Sequence, residues 1–132
     1  MLQEVSRTER GGILTPYILH DLFSEEALTS REWEPFRPGI DIHWIYRAPE
    51  GASAALLKYA SGASLGRHTH VGYEHILVLR GSQIDENGEH ERGTLLIHPA
   101  GTSHSIHSPN GCIVLAIWEK SAHLFHDEIG AA

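Results

Sequence analysis

Gly62-Ala63-Ser64-Leu65-Gly66-Arg67-His68-Thr69-His70-Val71-Gly72-Tyr73-Glu74-His75-Ile76-Leu77-Val78-Leu79-Arg80-Gly81 is the stretch on which the fold turns. In a β-strand, residues two apart point to the same face, so His68 and His70 present two imidazoles side by side. A turn through Gly72 and Tyr73 lets Glu74 return a carboxylate to the same place from the next strand. In a second stretch, Gly93 to Ser108, Pro99 and Gly101 mark a tight turn and His104 opens the strand that follows. Three imidazoles and one carboxylate on a rigid sheet suit one divalent transition ion, Zn, Fe, Mn, Ni or Cu, with positions left for water or a ligand.

Outward from these stretches, the chain from about Trp33 reads as short runs rich in Ile, Val, Leu and Tyr, separated by Gly, Pro, Asn and Ser. The run 40–47 puts Ile40, Ile42, Trp44 and Tyr46 on one face and Asp41, His43 and Arg47 on the other. Residues 53–60, 74–80, 94–98, 104–108 and 112–119 are further strand candidates. Asn87-Gly88 predicts a hairpin closed by a type I′ turn, since both residues tolerate positive φ. The runs Ile76 to Leu79 and Ile113 to Ile117 are apolar on both faces, which predicts strands covered on both sides. Before Trp33, Ser24-Glu25-Glu26-Ala27-Leu28 suits one short helix, with Ser24 as N-cap and acids in the first turn. The expected organisation is an N-terminal arm over residues 1–32 and a single all-β barrel or sandwich over 33–132.

Composition narrows the function. At 132 residues, 41% hydrophobic and 20% charged, the chain has room for one core and none of the bias of a disordered chain. A net charge of -7 without a Lys/Arg cluster argues against a nucleic-acid partner. No apolar run approaches the ~20 residues a bilayer span needs, and the N-terminus lacks a basic-then-apolar leader, so a cytoplasmic protein with no membrane partner is expected. Cys112 is the only cysteine, which excludes an intrachain disulfide, and its apolar surroundings predict a buried, inert thiol. The unusual number is 11 histidines, because histidine is the commonest metal ligand.

The two stretches resemble the two signatures of the cupin superfamily, G-x5-H-x-H-x3-E-x6-G over Gly62 to Gly81 and G-x5-P-x-G-x2-H over Gly93 to His104, in all nine fixed positions. The resemblance covers roughly residues 33–119. It implies the double-stranded β-helix, a cupin jelly-roll barrel, with His68, His70, Glu74 and His104 as the ligands of one divalent metal ion. One departure is Ser108, which stands where the second signature usually continues to Asn. Glu74 to Gly81, the acidic hairpin Asp85-Glu86-Asn87-Gly88 and the run from His104 to Cys112 are similar to the cupin of ChrR-type anti-sigma factors. Those proteins carry a zinc-binding cupin behind a helical sigma-binding domain. Only about thirty residues precede the barrel here, so sigma-factor control is not expected to carry over directly. The same branch is similar to small non-haem iron dioxygenases that cleave diketones and hydroxylated aryl ketones. The resemblance therefore implies either a metal-dependent dioxygenase acting on a small molecule or a non-catalytic zinc-binding sensor or regulatory module.

The other candidates are expected to be structural. His75, His90 and His107 alternate away from the ligands, His98 is expected at the pocket rim or the surface, and His43 on the polar face of its strand. His20, His123 and His126 are expected in solvent. Trp44, Tyr46, Tyr59 and Trp118 are expected in the core, and Arg67 is expected to be solvated or ion-paired. No Ser-His-Asp or Cys-His nucleophile signature and no phosphate-binding glycine loop is present. A homodimer is expected, because open jelly-roll edges need covering.

Overall fold

The computed structural model describes residues 15–120; the expectations for the extreme N-terminus and for His123 and His126 lie outside them. The chain divides into two compact units, Met1–Glu32 and Trp33–Ala132. In the first, helix α1 (Glu25–Thr29) is capped by Ser24, whose side chain accepts the Ala27 N–H at 3.0 Å, with Glu25 and Glu26 in the first turn. This is the capped, dipole-matched start that the sequence predicts.

The second unit has nine antiparallel strands among the described residues: β1 (Glu34–Arg37), β2 (Ile40–Arg47), β3 (Ser53–Tyr59), β4 (Ala63–Thr69), β5 (Glu74–Asp85), β6 (Gly88–Glu91), β7 (Leu95–His98), β8 (Ser103–Ser108) and β9 (Cys112–Trp118). They form one curled sheet in the order β1-β2-β3-β9-β5-β8-β4, with β6 and β7 each paired to β5. Strand β5 joins the two halves of the curl. Its first residues pair with β7 and β9, and its last pair with β6 and β8. The change of direction falls where the β5–β9 register shifts, between Val78 and Arg80, and at Gly81, whose φ is 73°. The inner faces converge on a core that includes Ile42, Leu57, Leu65, Val78, Ile106 and Val114. Burying each such side chain contributes roughly 1.5–3 kcal/mol. The fold is the all-β double-stranded β-helix.

Five local expectations change. The strand expected over 74–80 continues to Asp85, and β1 is an additional edge strand in which Pro35 is tolerated beside a register shift. The alternation in β2 breaks at a bulge between Trp44 and Tyr46, so Ile45, and not Tyr46, is buried. The hairpin forms one residue earlier than predicted: Asp85 pairs with Gly88, so Glu86 and Asn87 are the central residues. Only Gly88 has positive φ there, 116°, which rules out a type I′ turn, and the Asp85 carboxylate accepts the Asn87 N–H at 2.8 Å. Finally, coverage on both faces holds for Leu79 and Ile113, but Ile117 is 39% exposed beside Leu95 at 55% and Ile97 at 52%. The curl brings only inner faces together, so the outer face near β7 keeps its apolar side chains in solvent.

Candidate metal centre

At the end of the barrel where β5 begins, five side chains from four elements meet. His68, on β4, sits directly across from His104 on β8, with Nε2 to Nε2 at 3.0 Å. His70 lies just past the end of β4, tied by its N–H to the Thr102 carbonyl at 2.8 Å. Its ring stands 5.2 Å from that of His68 at 88°. Glu74 opens β5, and its cross-strand neighbours are His98 on β7 and Trp118 on β9. That register explains why His98 belongs here: Leu95 and Ile97 face out, while His98 and Glu74 share the inner face, with Nδ1 to Oε1 at 3.0 Å. His70, Glu74, His98 and His104 each offer a ligand atom within 4.8 Å of the others, a buried group of three imidazoles and a carboxylate.

Two tautomers can be read from the hydrogen bonds. His68 Nδ1–H donates to the Gly66 carbonyl at 2.8 Å, so in the neutral ring Nε2 carries no proton and faces inward. The Thr102 hydroxyl donates to the Pro99 carbonyl at 2.7 Å, so it accepts from His70 Nδ1–H at 3.0 Å, and in the neutral ring His70 Nε2 also carries no proton. That nitrogen faces Glu74 Oε1 at 3.0 Å and has no hydrogen bond. The 3.0 Å contact holds only with a cation between the two atoms, a proton on His70 Nε2 in the metal-free protein or a metal ion in its place. Donors about 2.1 Å from one ion are about 3.0 Å apart as neighbours in an octahedral shell and about 3.4 Å apart in a tetrahedral one, so the residues present fit a divalent metal.

Glu74 is 2% exposed, and a buried carboxylate needs partners. Trp118 Nε1–H donates to its Oε2 at 2.8 Å. Burial alone would push the Glu74 carboxyl up, but the close imidazoles of His70 and His98 and the Trp118 indole hold it well below the usual carboxylate range. Burial lowers the pKa of His68, and burial together with the neighbouring His68 lowers that of His104 to about 4.

These shifts set the acid sensitivity of the metal-free protein. Unfolded imidazoles take up protons near pH ~6.5, whereas folded His104 does so only near pH 4. Between those values the unfolded chain binds more protons, so stability is lost as pH falls. Glu74, with its pKa depressed, adds a loss of the same sign at lower pH, below the ordinary carboxylate value. In excess chelator the melting temperature should therefore be level above about pH 7 and fall steadily toward pH 4. A metal-free form that melts higher at pH 5 than at pH 7 would contradict this account.

His70, Glu74 and His104 stand together as expected, His98 joins them from what was expected to be the pocket rim or the surface, and His68 lies outside that four-residue group, against His104. Trp118, expected only as core, is core with one hydrogen bond to the site, while the Gly66 carbonyl and Thr102 orient rings without any sequence signal. His43 packs on Trp33, centroids 6.1 Å apart, and His75 stacks on Tyr73 at 6.4 Å; neither enters the cluster. Arg67 lies 3.9 Å from Glu86. Ser108 is fully buried and donates to the Ser82 carbonyl at 2.7 Å. Cys112 is buried, and burial pushes its thiol pKa up, as an inert core cysteine requires.

A curled antiparallel barrel carrying a buried His and Glu cluster on its inner strands is a cupin. The family model for the ChrR cupin-like domain matches residues 26–121, and the chain belongs to that family. Among solved structures it is similar to the Rhodobacter sphaeroides complex of SigE with the anti-sigma factor ChrR, with a TM-score of 0.64 and 26% identity over 70% of this chain and 51% of that one. An RmlC-like cupin from Ralstonia eutropha matches with a TM-score of 0.63 and 22% identity, covering 70% of this chain and 65% of that one. An acetylacetone dioxygenase from Acinetobacter johnsonii matches with a TM-score of 0.61 and 16% identity, covering 65% and 66%. The last two likenesses concern the fold alone. The chain spans about half to two thirds of the length of these structures. A comparison with curated proteins found no match. Among the described residues, no helix is long and apolar enough to cross a membrane.

Proposed function

We propose that the protein is a metal-binding module that holds one divalent transition ion, zinc in the resting protein, through His68, His70, Glu74 and His104, with His98 in reach as a fifth donor. The observation that carries this reading is the crowding of donors from β4, β5, β7 and β8, several of them at 3.0 Å, with the lone pairs of His68 and His70 fixed inward. Catalytic metal sites keep a position open, whereas structural and binding sites are filled by protein. In this reading the ion ties β4, β5 and β8 together, and the loaded barrel binds a small molecule and signals through a protein partner, as membership of the ChrR-like family supports. A cytoplasmic location goes with it. So does a homodimer, supported by the exposed apolar side chains of Leu95, Ile97 and Ile117.

A second reading, a dioxygenase of diketone or aryl ketone type, is favoured by the donor set itself, since imidazole and carboxylate also suit Fe(II). A bound iron would supply Lewis acidity and redox chemistry; the chain would supply the neutral imidazoles and the Glu74 charge that balances the ion.

Elemental analysis of protein expressed without a metal-scavenging tag separates the two. Near-stoichiometric zinc is expected, together with no oxygen uptake by the iron-reconstituted form across a panel of 1,3-diketones and hydroxylated aryl ketones. Iron as isolated, with ketone-dependent oxygen consumption that Glu74→Gln cuts, would replace the module by the enzyme. The same preparation should sediment as a dimer, and a 14.6 kDa monomer at micromolar concentration would remove that part.

A further inference from the structure

Behind His104, on the side away from the cluster, stands a carboxylate that neither cupin signature contains. Asp85 closes β5 at the hairpin, and its side chain is 1% exposed. Its Oδ1 is held twice, by the His90 ring Nε2 at 2.9 Å and by the Asn87 N–H at 2.8 Å. Its Oδ2 is buried without a hydrogen bond, and so is Nδ1 of His104, and these two atoms face each other at 3.8 Å. A buried polar atom left unpaired costs about 1–3 kcal/mol, and here two complementary ones are separated by less than 1 Å beyond hydrogen-bond contact.

Two of the other inward-facing imidazoles show what is missing. His68 and His70 each have Nδ1–H engaged, by the Gly66 carbonyl and by Thr102, and each thereby directs Nε2 at the cluster. His104 directs Nε2 the same way, 3.0 Å from Nε2 of His68, but its Nδ1 has Asp85 where the others have a bonded acceptor. We propose that Asp85 is the positioning residue for His104: its Oδ2 accepts Nδ1–H, fixes that tautomer and the ring's orientation, and so presents the Nε2 lone pair to the metal. His90 and the Asn87 N–H hold the carboxylate's other oxygen, so the hairpin turn anchors the arrangement. A carboxylate behind a ligating imidazole raises its basicity, and removing such a partner typically weakens metal affinity 10- to 100-fold.

This rests on His104 being a ligand, and the test keeps the two ideas apart. Zinc(II) is titrated into the wild type, Asp85→Asn and His104→Ala against a chromophoric chelator, and melting of each is measured in excess chelator. Asn retains the side-chain oxygen that caps Asn87, so Asp85→Asn should melt near the wild type when metal-free yet bind zinc about 10- to 100-fold more weakly. A merely structural role predicts the reverse, lower metal-free melting with wild-type affinity, and that result overturns the proposal while leaving His104 as a ligand. Zinc affinity unaffected by His104→Ala would sink both. Nitrogen-15 spectra of the zinc-loaded wild type give a reading independent of any variant's folding. A protonated, hydrogen-bonded Nδ1 on His104 is expected, and a metal-bound Nδ1 would overturn the assignment.

Discussion

Stripping the metal with excess chelator should lower the melting temperature by about 15–20 °C. A ligand that binds only the folded state, present at about 1,000 times its dissociation constant, adds about 4 kcal/mol, and a domain of this size shifts by roughly 4–5 °C per kcal/mol. The effect is expected to be this large because the donors come from β4, β5, β7 and β8, which approach one another only in the closed barrel. Without a metal ion, the 3.0 Å contact between His70 Nε2 and the Glu74 carboxylate holds only with a proton between them. His104→Ala should lose both metal and the chelator-sensitive part of the stability. His98→Ala should lose less of each, since the four signature donors remain. Calorimetry with and without chelator, with metal content measured on the same samples, checks all three. A wild type that melts identically in chelator would show that no ion contributes to this fold.

Gly81→Ala should be the most damaging of the Gly→Ala changes among the described residues. At φ 73° a side chain is strained, and a Cβ there would overlap the Gly111 carbonyl oxygen and lie 2.9 Å from Cys112 Cα. Both obstacles are backbone of the adjoining turn and strand β9, so neither can yield cheaply. Strain of about 1–2 kcal/mol and overpacking of about 1–3 kcal/mol combine to roughly 2–5 kcal/mol, a large share of a typical net stability of about 5–15 kcal/mol. Gly62→Ala is the control, because its φ is 86° but nothing lies within 4 Å of the added carbon, leaving only the strain. Equal melting shifts for the two variants would mean that the close approach of β5 to Gly111 does not matter.

The two signature stretches were legible because their information is local. His68, His70 and Glu74 are separated by a strand step and a turn, so spacing brings those three close, while His104 was legible through the second signature and the family resemblance that names the barrel. The short helix at Ser24 and most strands were legible for the same reason: caps, alternation and turn residues act within a few positions. Where a local cue failed, one inserted or shifted residue was responsible, as in the bulge that buries Ile45 and the turn that begins at Glu86.

Other features depended on which strand lies beside which. His98 reaches Glu74 because β7 pairs with β5 in a register that places those residues opposite, and Trp118 reaches it because β9 pairs on the other side. Asp85 comes to the back of His104 only after the chain has bent at Gly81 and formed the hairpin. None of these contacts spans fewer than 19 positions, and long-range register follows from closure of the whole sheet and not from any segment's own preference. The sequence by itself determined a cupin barrel and brought His70, Glu74 and His104 into view as candidate donors. Tertiary structure decided that a fifth imidazole enters, which nitrogen of His68 and of His70 faces the cluster, and which apolar strand faces stay in water, because each depends on atoms that only the closed barrel brings together.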